Sequence, residues 1–167
     1  TQMTLADFNN AERADARAAI QPCLDITRWL DELVDARPFK TRRALAAYAY
    51  HAASPFTTTE IDDALAHHPR LGERAAGSGS AARMSATEQA GLGASSPALD
   101  HALAEGNAAY EQRFDRVFLI RATGRSRAQI LTELERRLKN PSTQELGEIA
   151  EQLRQIAVHR LEGVITA

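Results

Sequence analysis

The chain has little of what several protein classes require. Cys23 is the only cysteine among 167 residues, which excludes an internal disulfide and any multi-cysteine zinc site. A reducing, cytoplasmic setting fits that usage. No basic surplus exists: the formal charge is −2, leaving neither a cationic face for nucleic acid nor a polybasic membrane anchor. Aromatics are 5% of residues, and the lone Trp29 with scattered Phe and Tyr builds no stacking platform for bases. No apolar run approaches the roughly 20 residues that span a bilayer. The opening Thr1-Gln2-Met3-Thr4 lacks the basic start and apolar core of a secretion signal. The closing Val164-Ile165-Thr166-Ala167 is not a peroxisomal address. Gly77-Ser78-Gly79-Ser80 has neither the lysine nor the preceding strand of a phosphate loop.

What is present is helical periodicity. Ile26, Trp29, Leu30, Leu33 and Val34 follow i, i+3, i+4, i+7, i+8. Arg37-Pro38 ends that helix, because the residue before proline is pushed out of the helical region. Thr41 caps a helix bearing Leu45, Tyr48, Ala49 and Ala52, and Ser54-Pro55 breaks it. Thr58 or Thr59 starts a short helix that ends near His67-His68-Pro69. Gly77 to Ala81 reads as a flexible loop within one domain. Ser96-Pro97 reads as an N-cap followed by proline at the first helical position, with Leu99, Leu103, Gly106, Tyr110 and Phe114 on one face. Val117-Phe118-Leu119-Ile120 is a continuous apolar run, the one strand-like piece. Thr123 to Ser126 is a turn into a helix with Ile130, Leu131, Leu134 and Leu138, closed by Asn140-Pro141. Ser142-Thr143-Gln144-Glu145 reads as a capping box for a last helix with Leu146, Ile149, Leu153, Ile156, Arg160 and Val164. One strand makes no sheet, and no repeat is found. The expected fold is all-α, with residues 1–167 as a single domain.

Three features point to chemistry. His68 precedes Pro69, which fixes the following backbone and removes a donor. An imidazole held there suits proton transfer near neutrality, although a histidine at a helix C-terminus also simply favours the helix dipole. Ser85-x-x-Glu88, with Gln89 beside it, reads as a capping box at a helix start, a place where backbone N–H groups also meet polar ligands. Arg160 interrupts the apolar stripe of the last helix between Ile156 and Val164. Burying an unpaired guanidinium costs several kcal/mol, so it must be paired, snorkel to solvent or line a cavity. Metal ligation is not indicated: His51, His67, His68, Glu73 and His101 show no spacing that sets two ligands on one helix face. Cys23 has no neighbouring histidine and reads as core.

In order, Arg37-Pro38-Phe39, His68-Pro69-x-Leu71, Ser85-x-x-Glu88-Gln89-x-Gly91-Leu92, Tyr110-x-x-x-Phe114, Phe118-Leu119-Ile120 and Arg160-Leu161-Glu162 cover nearly the whole chain. This set resembles the OHCU decarboxylase family of uric acid degradation, whose substrate is 2-oxo-4-hydroxy-4-carboxy-5-ureidoimidazoline and whose products are (S)-allantoin and carbon dioxide. Phe114 to Phe118 departs from the family's common Phe-Gly-Phe approach to the apolar run, and Arg121 follows that run directly. The resemblance implies an all-α fold, no cofactor, a small-molecule substrate and a homodimer. It implies catalytic roles for His68 and Glu88. Substrate binding is implied for Pro69, Ser85, Gln89, Leu119, Ile120, Arg121, Ala122, Thr123 and Arg160. A rival of another class is an all-α interaction module, with Ser85 and Glu88 merely capping and Arg160 pairing at a partner surface.

Cofactor independence has a chemical reason. Decarboxylation leaves an electron pair on carbon, which most enzymes pass to a cofactor. Here the ring C=N beside the carboxyl-bearing carbon can take it. A cation gripping the departing carboxylate would stabilise the ground state more than the transition state. Arg160 is therefore expected on a carbonyl oxygen, on the ureido group or on charge developing on the ring.

Overall fold

A computed structural model of the chain describes residues 2–71, 79–93 and 96–167. The order is β1 (Met3–Thr4), α1 (Leu5–Asn10), α2 (Arg13–Ile20), α3 (Thr27–Asp35), α4 (Arg42–His51), α5 (Thr58–Leu65), α6 (Ser80–Ala90), α7 (Pro97–Phe114), α8 (Arg127–Arg137), α9 (Ser142–Val164) and β2 (Ile165–Thr166). The fold is all-α, as the periodicity predicts. Strand structure among the described residues is one short parallel pairing, with Met3 opposite Ile165 and Thr4 opposite Thr166. The strand-like run Val117–Ile120 is irregular instead. Its backbone groups find side-chain partners from helices in place of a ladder. Arg137 Nη1 donates to the Leu119 carbonyl at 2.7 Å, and the Arg121 amide donates to Gln152 Oε1 at 2.8 Å. Buried backbone groups must be satisfied somewhere, and this segment uses helix-borne polar side chains. No helix of the described residues is long and apolar enough to cross a membrane.

The chain divides into two compact units, one formed by the residues up to Glu60 with Leu153–Ala167, the other by Ile61–Gln152. In the first unit the stripe read from sequence is the buried one: Trp29, Leu30 and Leu33 are fully enclosed. Trp29 Nε1 donates to the Ala49 carbonyl at 2.9 Å, joining α3 to α4. Thr41 caps α4 by accepting from the Ala44 amide. Arginines then satisfy the carbonyls that the breaks release. Arg37 donates to Phe8 and Ala11. Arg154 donates to Tyr50, Ala52 and Ala53 and lies 3.9 Å from the Phe56 ring centre. Arg28 forks onto Glu60 with Nη2 at 2.9 Å from Oε1 and holds that carboxyl down to about pKa 2.

The second unit is built on α7 and α8. Leu92, Leu103, Tyr110, Phe114, Phe118, Ile120, Ala122, Ile130 and Leu134 form its core, with Leu71, Leu99, Leu131 and Leu138 packed against it. Gly106 permits the close approach of the two helices: a Cβ there would stand 2.5 Å from Leu134 Cδ2. Ser96 caps α7 with Pro97 at its first position, and Ser126 and Gln129 form a reciprocal capping box on α8, both as expected. Glu145 departs from expectation. It is 1% exposed and its carboxylate is taken by Arg137, Tyr110 and Asn140, not spent on the start of α9.

Candidate active site

Helix α5 ends one turn before Pro69. The amides of His67 and His68 close back on Ala64 and Leu65 at 3.2 and 3.0 Å. Proline then prevents continuation. His68 and Pro69 are half-buried, whereas His67 is exposed. The segment is held from both ends. Arg70 forks onto Glu111 of α7, with Nη2 at 3.0 Å from Oε2, and Leu71 packs on the second unit's core.

The reading of Ser85-x-x-Glu88 as a capping box is corrected. Helix α6 begins at Ser80, its N-cap is Gly79 without a side-chain bond, and Ser85 lies mid-helix. Of the expected Gly77–Ala81 loop, Gly77 and Ser78 lie outside the described residues, and Ser80 and Ala81 are already helical. Four of the five residues from Ser80 to Met84 are good or neutral helix formers with no breaker among them, so the helix extends back past the apparent cap. The consequence is functional. Positions 85, 88 and 89 share one face of a helix at i, i+3 and i+4. Ser85 is 6% exposed and Glu88 and Gln89 are half-buried, while Arg83, Ala86, Thr87 and Ala90 face solvent. A helix normally shelters its apolar stripe. This one shelters a hydroxyl, a carboxylate and an amide.

The third segment is the irregular run. Leu119, Ile120 and Ala122 are buried and Arg121 and Thr123 half-buried. Arg121 Nη1 donates to the Thr123 carbonyl at 2.7 Å, Arg125 Nε donates to the Arg121 carbonyl at 3.0 Å, and Gly124 takes the turn at φ 81°. Burial, and then the neighbouring Arg121 charge, lower the Arg125 guanidinium below its usual range. Beneath the run, Arg137 and Glu145 are each 1% exposed, with Arg137 Nη2 at 2.8 Å from Glu145 Oε2. Tyr110 donates to the same carboxylate, and burial together with that contact raises the phenol's pKa. The network was missed from sequence. Its signal was the one that singled out Arg160: Arg137 falls in step with Ile130 and Leu134 on a buried stripe.

The core of the second unit brings these segments together. Leu71, three residues after His68, packs against the cluster that contains Leu92, three beyond Gln89, and Ile120 and Ala122 of the run. Arg160 belongs to the first unit. It is 6% exposed, so it does not snorkel, and its Nη1 donates to the Pro22 carbonyl at 3.2 Å. Of the histidines and carboxylate weighed as ligands, Glu73 lies outside the described residues and His101 pairs with Glu105 at 3.0 Å. Among the described residues no three His, Cys, Asp or Glu side chains cluster as metal ligands.

The described residues hold a helix that shelters a polar face and a half-buried histidine followed by proline, both in the second unit, and Ser85 and Glu88 do not cap α6. The sequence model of the OHCU decarboxylase family matches residues 9–162, and the chain belongs to that family, a family of carbon–carbon lyases. The fold is shared with solved structures. A crystal structure of OHCU decarboxylase in the presence of (S)-allantoin is 22% identical, with a TM-score of 0.71 over 94% of this chain and 100% of that one. A crystal structure of (S)-allantoin synthase is 18% identical, with a TM-score of 0.72 over 98% of this chain and 54% of that one. No curated protein sequence matches the chain.

Proposed function

We propose that this protein decarboxylates 2-oxo-4-hydroxy-4-carboxy-5-ureidoimidazoline to (S)-allantoin and carbon dioxide, using its own side chains and no cofactor. The family match over residues 9–162 carries the reading. It runs through both compact units, which supports a single functional domain. The polar face of α6 adds physical support.

The bond from the ring carbon to the carboxylate breaks, and its electron pair moves into the adjacent ring C=N. Carbon dioxide leaves, and the ring nitrogen takes up the one proton that the reaction consumes overall. The resulting enol loses its hydroxyl proton and gains one on carbon. Delivery to a single face gives the S product. His68 is the proton-transfer residue: its backbone is fixed by Pro69, and an imidazole suits general acid–base transfer. Glu88 orients the imidazole or binds ring N–H groups. Ser85 and Gln89, on the same helix face, orient the substrate's polar arm. Pro69 and the backbone of Leu119, Ile120, Arg121, Ala122 and Thr123 form wall contacts. Arg160 binds a carbonyl or ureido group, since a clamp on the leaving carboxylate would hold the ground state more tightly than the transition state. The assembly is a cytoplasmic homodimer. The test is freshly generated substrate followed by circular dichroism. Faster loss of substrate with growth of the (S)-allantoin signal supports the reading, and a time course equal to the uncatalysed one contradicts it.

A further inference from the structure

Asn107 stands out within the second unit. It lies mid-way along α7, is 9% exposed, and its Oδ1 is the one buried side-chain oxygen or nitrogen among the described residues with no hydrogen-bond partner. Native proteins satisfy such atoms nearly always, because an acceptor stripped of water and given no donor costs stability. An exception needs an explanation, and an acceptor kept for a donor on a substrate is one.

The surroundings indicate which ligand. On α7, Leu103 and Glu111 lie one turn before and one turn after Asn107, so the three share a face. Glu111 holds Arg70, two residues from His68. Leu103 is in the core cluster with Leu92, two residues beyond the end of α6, and with Ile120 and Ala122 of the irregular run. The α7 face that carries Asn107 thus has at one end Glu111, which pairs with Arg70 next to Pro69, and at the other Leu103, in the same core cluster as Leu92, Ile120 and Ala122. An amide oxygen only accepts. Its partner must bring an N–H or O–H, so an ionised carboxylate cannot occupy the position.

We infer that Asn107 is a further substrate-binding residue, whose Oδ1 accepts a hydrogen bond from an N–H of the ureide. This deepens the proposed function and rests on it. The assignment orients the substrate: the ureide N–H donors face α7 and the carboxylate points elsewhere. It also gives specificity, because an analogue without a donor there leaves the acceptor stranded, and sites built on buried polar groups reject such analogues strongly.

The test reads ligand-free stability and ligand binding in the same variants. Asn107→Leu replaces the amide with an apolar side chain of similar size. Without ligand it should melt at or above the wild-type temperature, because the stranded acceptor is gone. (S)-Allantoin, which keeps the ureide N–H groups, should bind it about tenfold more weakly than wild type, the scale of one lost hydrogen bond. The KM for the substrate should rise while kcat changes less. Asn107→Ala, which removes the same oxygen without added bulk, should show the same loss of affinity and serves alone if the leucine variant does not fold. Unchanged allantoin affinity and KM in a folded variant, with a lowered melting temperature, would overturn the inference and mark Asn107 as structural, its acceptor met by buried water. Wild-type protein that neither turns over the substrate nor binds allantoin would instead overturn the functional reading, and the inference with it.

Discussion

Glu145→Gln should be among the most damaging single changes in the second unit, although it removes one charge and almost no volume. The carboxylate is 1% exposed and accepts from Arg137 Nε at 3.0 Å, from Arg137 Nη2 at 2.8 Å, from Asn140 Nδ2 at 3.2 Å and from the Tyr110 hydroxyl. Neutralising it leaves the Arg137 guanidinium buried without a counter-charge, a change that costs about 3–5 kcal/mol in buried pairs. For a chain of this size 1 kcal/mol moves the melting temperature by roughly 2–4 °C, so a fall on the order of 10 °C is expected in a thermal scan. The apolar triple variant Tyr110→Phe/Arg137→Met/Glu145→Leu should recover most of that loss, because no charge is stranded. It leaves the Leu119 carbonyl without the Arg137 donor at 2.7 Å, a residual cost of about 1–3 kcal/mol. Activity should not recover with stability, since the irregular run loses the side chain that positions it. A Glu145→Gln variant that melts at the wild-type temperature would refute the reasoning. So would a stable triple variant with wild-type turnover, which would show that the run needs no such tie.

Further outcomes follow from the site and its surroundings. His68→Asn should fold normally and lose turnover by about a hundredfold or more; near-wild-type rates would remove it from proton transfer. Glu88→Gln should keep the wild-type melting temperature, because Glu88 lies within α6 and caps nothing, while turnover falls; full activity would show that its charge is not used. Arg160→Lys should lose most of the thermal protection that (S)-allantoin gives the wild type by linkage, as lysine cannot reproduce the guanidinium fork; equal protection of both would take Arg160 out of binding. The Glu60 carboxyl, lowered by Arg28 from its ordinary 4.5 to about 2, binds fewer protons folded than unfolded. Its contribution is complete above about pH 4.5 and fades as pH falls toward 2. The stability gap between wild type and Glu60→Gln should close over that window, and a gap constant with pH would contradict the pairing.

The helices were legible wherever local chemistry decides them: the caps at Thr41, Ser96 and Ser126, the breaks before Pro38 and Pro55, and the stripe around Trp29 all stand as the pattern predicts. The start of α6 was not. Ser85 and Glu88 have cap spacing, but nothing upstream forbids helix, and the sheltered polar face that results appears only once the register is known. The run at Val117–Ile120 carries the apolar continuity of a strand. What makes it irregular is a set of distant donors and acceptors, Arg137 and Gln152, that local sequence does not announce. Arg160 was legible as a charge on a buried stripe. Arg137 obeyed the same rule and was missed, because a neighbouring Arg136 and a helix end make a solvated charge look ordinary. Asn107 was beyond reach: a polar residue on a long helix declares itself only when burial and the absence of a donor are both seen.

The central claim is that this chain's own residues carry out the decarboxylation. The most direct measurement exposes exhaustively chelated, cofactor-free protein to freshly generated 2-oxo-4-hydroxy-4-carboxy-5-ureidoimidazoline and follows carbon dioxide release and circular dichroism together. The account predicts one carbon dioxide per (S)-allantoin, at a rate proportional to protein concentration and unchanged by added divalent metal. Racemic allantoin at the spontaneous rate, or activity that returns only with added metal, would contradict it.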